Sequence, residues 1–151
     1  MALKEKINDD LKAALLSGNH FNVEVLRGLK AVILNEEVAL GKRDEGLDDT
    51  VIEQLMVREV KKRNESAIIY DGAGRPELAL NEKSEAKVIS SYIPEQLSEE
   101  DINKVVIRTI SELDVTDLSG MGNVIGNVKK ELGNTADGSK IAKLVKDALI
   151  K

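Results

Sequence analysis

The sequence predicts an all-α, two-lobed protein, on three observations. Apolar residues recur at helical spacing along almost the whole chain, and no period-2 run of convincing length appears. The composition is rich in Leu, Ala, Glu, Lys and Ile, with two prolines and 2% aromatics among 151 residues, a mixture that favours helix. The polar and glycine-containing breaks fall at intervals that suit helices of ordinary length. At 42% hydrophobic and 32% charged, the chain has enough apolar material for a core and is not a disordered tail.

Leu3, Ile7, Leu11, Ala14 and Leu15 form the first stripe, broken by Ser17-Gly18-Asn19. The second runs through Val25, Leu26, Leu29, Ile33 and Leu40 to Gly41, and the polar stretch 41–49 reads as a loop. Asp48, Asp49 and Thr50 suit a helix start, where caps and acidic groups meet the dipole. The third stripe carries Ile52, Leu55, Met56, Val60, Ala67 and Tyr70, and Asp71-Gly72-Ala73-Gly74 stops it. Pro76 fits the first turn of a fourth helix, where its missing N–H would be unpaired anyway. That helix places Leu78, Ala79, Glu82, Glu85, Ile89 and Tyr92 on one face.

Pro94 disfavours a helical Ile93 and marks a joint at 93–97. Ser98, with Asp101 three residues on, resembles a capping box. It opens a fifth stripe of Ile102, Val105, Val106, Ile110 and Leu113. After a linker containing Gly120, the sixth is Met121, Val124, Ile125, Val128 and Leu132, closed by Gly133 as a C-cap. Asp137 is expected to cap the last helix, with Ile141, Leu144, Val145, Ala148 and Leu149 inward. The predicted organisation is an N-terminal four-helix lobe over 1–93 and a C-terminal three-helix lobe over 97–151.

Composition also bounds function. Cysteine is absent, which removes disulfides, thiolate nucleophiles, zinc fingers and iron–sulfur clusters together. The three aromatics, Phe21, Tyr70 and Tyr92, are too few for a base-stacking platform. A net charge of −5 rules out a strongly basic nucleic-acid binder at whole-chain level but leaves local basic patches open. Met1 to Ala14 is charged throughout and has no signal-peptide run. No stretch reaches the ~20 apolar residues of a membrane helix. The expectation is a cytoplasmic protein that engages neither membrane nor DNA.

Few residues carry chemistry. The lone His20 falls in a turn without a second metal-grade ligand at matching spacing, so neither a metal site nor a catalytic histidine is expected. Glu82 and Glu85 could form an acid–base pair, but Arg27, Lys30, Arg58 and Arg63 lie on or beside facing stripes, and an inter-helix ion network is the stronger reading. Asn35 is expected to make a satisfied polar contact. Arg58, Lys61, Lys62 and Arg63 could meet phosphates, against a solvated face balanced by Glu59 and Glu65. More informative is 133–140, a small-residue segment that opens a helix N-terminus, where free N–H groups accept phosphate. Lys129 and Lys130 precede it, and Lys140 and Lys143 follow.

The segments LRGLKAVILNEE (26–37), VKKRNESAIIYDGAGRPELALNEKSE (60–85), YIPEQLSEE (92–100), MGNVIG (121–126) and ADGSKIAKLV (136–145) resemble the GatB/YqeY family in order and spacing across nearly the whole chain. The resemblance implies a free-standing relative of the helical tail that GatB carries in the bacterial tRNA-dependent amidotransferase. That tail contacts the outer corner of the tRNA, while the phosphorylation and amide-transfer centres lie elsewhere in the complex. Such a chain would carry the name of a glutamine-dependent carbon–nitrogen ligase without its catalytic residues, and would need no cofactor. Gly122 and Gly126 match the family's MG…G segment, and Ala136-Asp137-Gly138 its ADG loop. Asn134 and Thr135 stand where relatives often carry a basic residue.

The leading expectation is therefore an accessory protein that binds tRNA through Lys129, Lys130, Gly133, Gly138, Lys140 and Lys143. The alternative is an interaction module that docks on an aminoacyl-tRNA-handling enzyme or another protein without touching RNA. An enzyme built on Glu82 and Glu85 ranks below both.

Overall fold

The computed structural model describes residues 2–150. These form seven α-helices and two short 3₁₀ turns, with no strand among the described residues. The chain divides into two compact units, Met1–Pro94 and Glu95–Lys151. The first holds α1 (Ala2–Ser17), α2 (His20–Ala39), α3 (Asp49–Gly72) and α4 (Pro76–Ser90); the second holds α5 (Glu99–Glu112), α6 (Met121–Leu132) and α7 (Gly138–Leu149).

In the first unit each stop has a local cause. Gly18 takes φ +72°, a conformation open to glycine at little cost, and the Asn19 side chain then accepts from Asn22 N at 3.1 Å to cap α2. His20 is thus the first residue of α2 rather than a turn residue, because the asparagine before it supplies the cap. The loop after α2 is tied down by Leu47, 1% exposed, and by Lys42 N donating to Glu37 O at 2.7 Å. Asp49 opens α3 and also accepts from Leu3 N at 3.2 Å, satisfying one of the four orphan donors at the start of α1. Pro76 sits at the start of α4.

Ile7, Leu11, Leu26, Leu29, Ile33, Ile52, Met56 and Ile89 form the core of this unit. Among the stripe members outside it, Leu15 and Leu40 end their helices half-exposed, and Leu78 turns outward. On α4 the inward positions are Ala79, Ala86 and Ile89. The small side chains of Ala79 and Ala86 let α3 and α4 pack closely as a hairpin. Two carboxylates are buried. Glu37 holds Lys4 Nζ at 2.8 and 3.2 Å, and Glu59 holds Arg63 at 2.9 Å and Lys62 at 3.3 Å. Such pairing is what a buried charge requires.

In the second unit Ser98 Oγ accepts from Asp101 N at 3.1 Å, so the cap forms. Helix α5 ends where Asp114 adopts φ +53°, a left-handed stop of a kind Asp and Asn tolerate. Asp117 caps the 3₁₀ turn Leu118–Gly120 through Ser119, and this hydrogen bonding, from the Ser119 hydroxyl first and its N–H second, lowers the Asp117 pKa. Ile102, Val106, Val124, Val128, Ile141, Val145 and Leu149 close a separate core.

Candidate nucleic-acid interface

Helix α6 delivers Lys129 and Lys130 in its last turn. Val124 and Val128 fix its inward face, which at 100° per residue turns Lys130 outward with Gly126 and Asn123. Lys129 and Glu131 take opposite flanks. Glu131 is bound by Arg108 of α5, which also lies 3.6 Å from Glu112. These carboxylates raise the Arg108 pKa, through its hydrogen bond to Glu131 before all else. Lys129 goes the other way, toward α7. A Cβ at Gly138 would stand 3.1 Å from Lys129 Cε and 3.2 Å from its Nζ. The ammonium therefore rests against the first residue of α7.

The turn between these helices is rigidly held. Gly133 closes α6 at φ +54°. Thr135 Oγ1 donates to Leu132 O at 2.6 Å, Leu97 N to Thr135 O at 2.8 Å, and Gln96 Nε2 to Asn134 O at 2.8 Å. Ala136 is buried. Asp137 stands at the N-cap of α7 in extended backbone, but its carboxylate makes no capping hydrogen bond. This departs from the sequence expectation. Lys140 and Lys143 follow on the outer side of α7, fixed there by inward Ile141 and Val145.

Lys129 thus lies beside Gly138, Gly133 closes α6, and Lys130, Lys140 and Lys143 are exposed on α6 and α7. Among the described residues, none of the four lysines is held in an ion pair. Glu131, the acidic neighbour in sequence, is engaged by Arg108. A helix N-terminus flanked by exposed ammonium groups is a kind of place that suits a phosphate.

The other candidates resolve differently. Arg63 Nε lies 3.3 Å from Glu85 while its Nη1 holds Glu59, so Glu85 braces α4 on α3 instead of waiting for a substrate. Arg58 is exposed, and Lys62 and Arg63 are spent on Glu59. Asn35 is exposed on α2. Sequence reasoning missed the role of Gln96 and Leu97 in holding the 134–135 backbone. It also missed Lys129 lying over Gly138. Nothing in a one-dimensional pattern marks a main-chain contact across some forty residues.

The sequence matches the family described as Yqey-like protein over residues 4–149. The chain belongs to the YqeY-like protein family. This YqeY-like chain is also similar to two proteins described as Altered inheritance of mitochondria protein 41, mitochondrial. The one from Kluyveromyces lactis is 24% identical over 110 residues, covering 71% of this chain and 58% of that protein. The one from Clavispora lusitaniae is 25% identical over 138 residues, covering 89% and 78%. The YqeY-like chain therefore spans little more than half the length of the first. No helix among its described residues is long and apolar enough to cross a membrane.

Proposed function

We propose that this YqeY-like protein is a non-catalytic accessory factor that binds tRNA through its second unit. On this reading it serves amidotransferase-type, glutamine-dependent carbon–nitrogen ligation carried out by other proteins. The observation that carries the reading is Lys129 lying against the start of α7, with Lys130, Lys140 and Lys143 exposed on the two helices that flank a turn tied to Gln96 and Leu97. Recognition is by phosphate and shape, since the second unit contains no aromatic residue at all and base stacking is not available to it. The compartment we propose with it is the cytoplasm, where aminoacyl-tRNA is handled. Both named relatives are described as mitochondrial, and cell fractionation decides between the two.

The test is a Lys140→Glu/Lys143→Glu double variant titrated against several purified tRNAs. Both side chains are exposed, so the fold is retained. Affinity is expected to fall by a similar factor for every tRNA, because phosphate contacts carry no sequence information. Unchanged affinity removes this surface from the proposal.

A second reading, docking on a protein partner, is favoured by apolar side chains left in solvent on the first unit: Leu16 at 91% exposure, Ile68 at 72% and Ile69 at 69%. Co-migration with an aminoacyl-tRNA-handling enzyme in the absence of RNA, abolished by Ile68→Asp/Ile69→Asp substitution, is its signature.

A further inference from the structure

We propose that a cleft in the first unit binds a small apolar carboxylate. The cleft has a volume of about 250 Å³ and is lined by Ile7, Ala31, Ile33 and Leu34, with the Lys4–Glu37 pair and Lys30 beside them. An apolar cavity with a few fixed polar groups is the usual construction of a small-molecule site. The charges here are arranged for one kind of head group. Glu37 is 1% exposed, and both its oxygens are taken by Lys4 Nζ, so the fixed negative charge is buried and neutralised. Lys30 on α2 is exposed and has no ion-pair partner among the described residues. Two ammonium groups against one carboxylate leave the lining with a single positive charge. A monoanion balances it, whereas a dianionic phosphate monoester would overshoot it and a cation would meet repulsion.

Size sets the hydrocarbon part. At ~30 Å³ for each water in the liquid, the cleft holds about eight waters' worth of volume, which matches a chain of six to eight carbons. The ligand would lay that chain on Ala31 and Leu34, above the buried Ile7 and Ile33, and set its carboxylate at Lys30. Lys4, 36% exposed at its side chain, has three donors and lies on the same rim. The site is independent of the RNA reading, whose lysines all lie in the other unit.

A series of linear carboxylates from butanoate to decanoate, titrated while the methyl resonances of Ile7, Ile33 and Leu34 are followed by NMR, tests the proposal. Affinity is expected to rise about threefold to fourfold per added methylene and to level off once the cleft is full. Octylammonium is expected to bind at least tenfold more weakly than octanoate. Lys30→Gln should lower octanoate affinity several-fold while leaving the chain-length dependence intact, and Ala31→Trp, at an exposed position that tolerates a large side chain, should abolish binding by filling the mouth. Affinity independent of chain length, equal binding of octylammonium, or methyl shifts unaltered in Ala31→Trp would each overturn the proposal.

Discussion

Tyr92 shows how much one side chain contributes. Its ring is 7% exposed, its hydroxyl donates to Asp10 Oδ2 at 2.5 Å, and Lys6 Nζ lies 4.7 Å above the ring. Burial first, then the hydrogen bond and the charge of Asp10, push the Tyr92 pKa well above its ordinary 10.0. A group whose folded pKa is raised stabilises in full below its unfolded value and loses that contribution as pH climbs toward the folded one. The protein is therefore expected to lose stability above about pH 10 in part through this residue. Tyr92→Phe should cost about 1 kcal/mol at neutral pH, and its unfolding free energy should fall less steeply than the wild type's between pH 10 and 12. Denaturant unfolding at a series of pH values measures both. The sequence places Tyr92 on an apolar face, and that much was legible. Asp10, eighty-two positions away, was not, because a tertiary hydrogen bond leaves no periodic trace. The same holds for Glu37: nothing in its type predicts burial, yet it lies four residues after Ile33 on the inward stripe, and that spacing was available.

At the scale of elements, helix existence followed from the 3.6-residue period, and several boundaries followed from chemistry that sequence displays directly: stops at Gly18 and Gly74, starts at Pro76 and Ser98. The end of α5 was harder to read, since Asp114 takes the left-handed conformation that glycine usually supplies. Helix α6 offers the sharpest test of helical reasoning. Gly122 and Gly126 have nothing within 4 Å of where a Cβ would stand, and each lies inside a helix, where glycine is less favourable than alanine. Gly122→Ala and Gly126→Ala are each expected to stabilise the protein by about 0.5–1 kcal/mol. Gly133 has equal space but φ +54°, so Gly133→Ala should destabilise by about 1 kcal/mol or more. Thermal unfolding of the three variants should give opposite signs for α6 interior and α6 terminus. If all three shift Tm the same way, the conformational account of Gly133 is wrong.

Across the whole molecule, charge is the property that misleads when it is averaged. The net charge of −5 points away from nucleic acid, yet α6 and α7 expose Lys129, Lys130, Lys140 and Lys143 while Arg108 neutralises Glu131. Sequence spacing places these lysines on either side of one turn, and the resemblance to the GatB/YqeY family implies tRNA contact there. The fold class was written in the periodicity. The proposed tRNA surface was not, because a phosphate-reading patch needs only a handful of exposed cations whose placement depends on tertiary packing. The central claim is that this surface reads tRNA phosphates, and the most direct measurement is the affinity of the intact protein for tRNA across a salt series. The account predicts binding that weakens steeply as salt rises, with a log–log slope that drops by about two when Lys140 and Lys143 are both removed, roughly one for each phosphate no longer neutralised. Absence of binding at low salt, where screening is weakest, would contradict it.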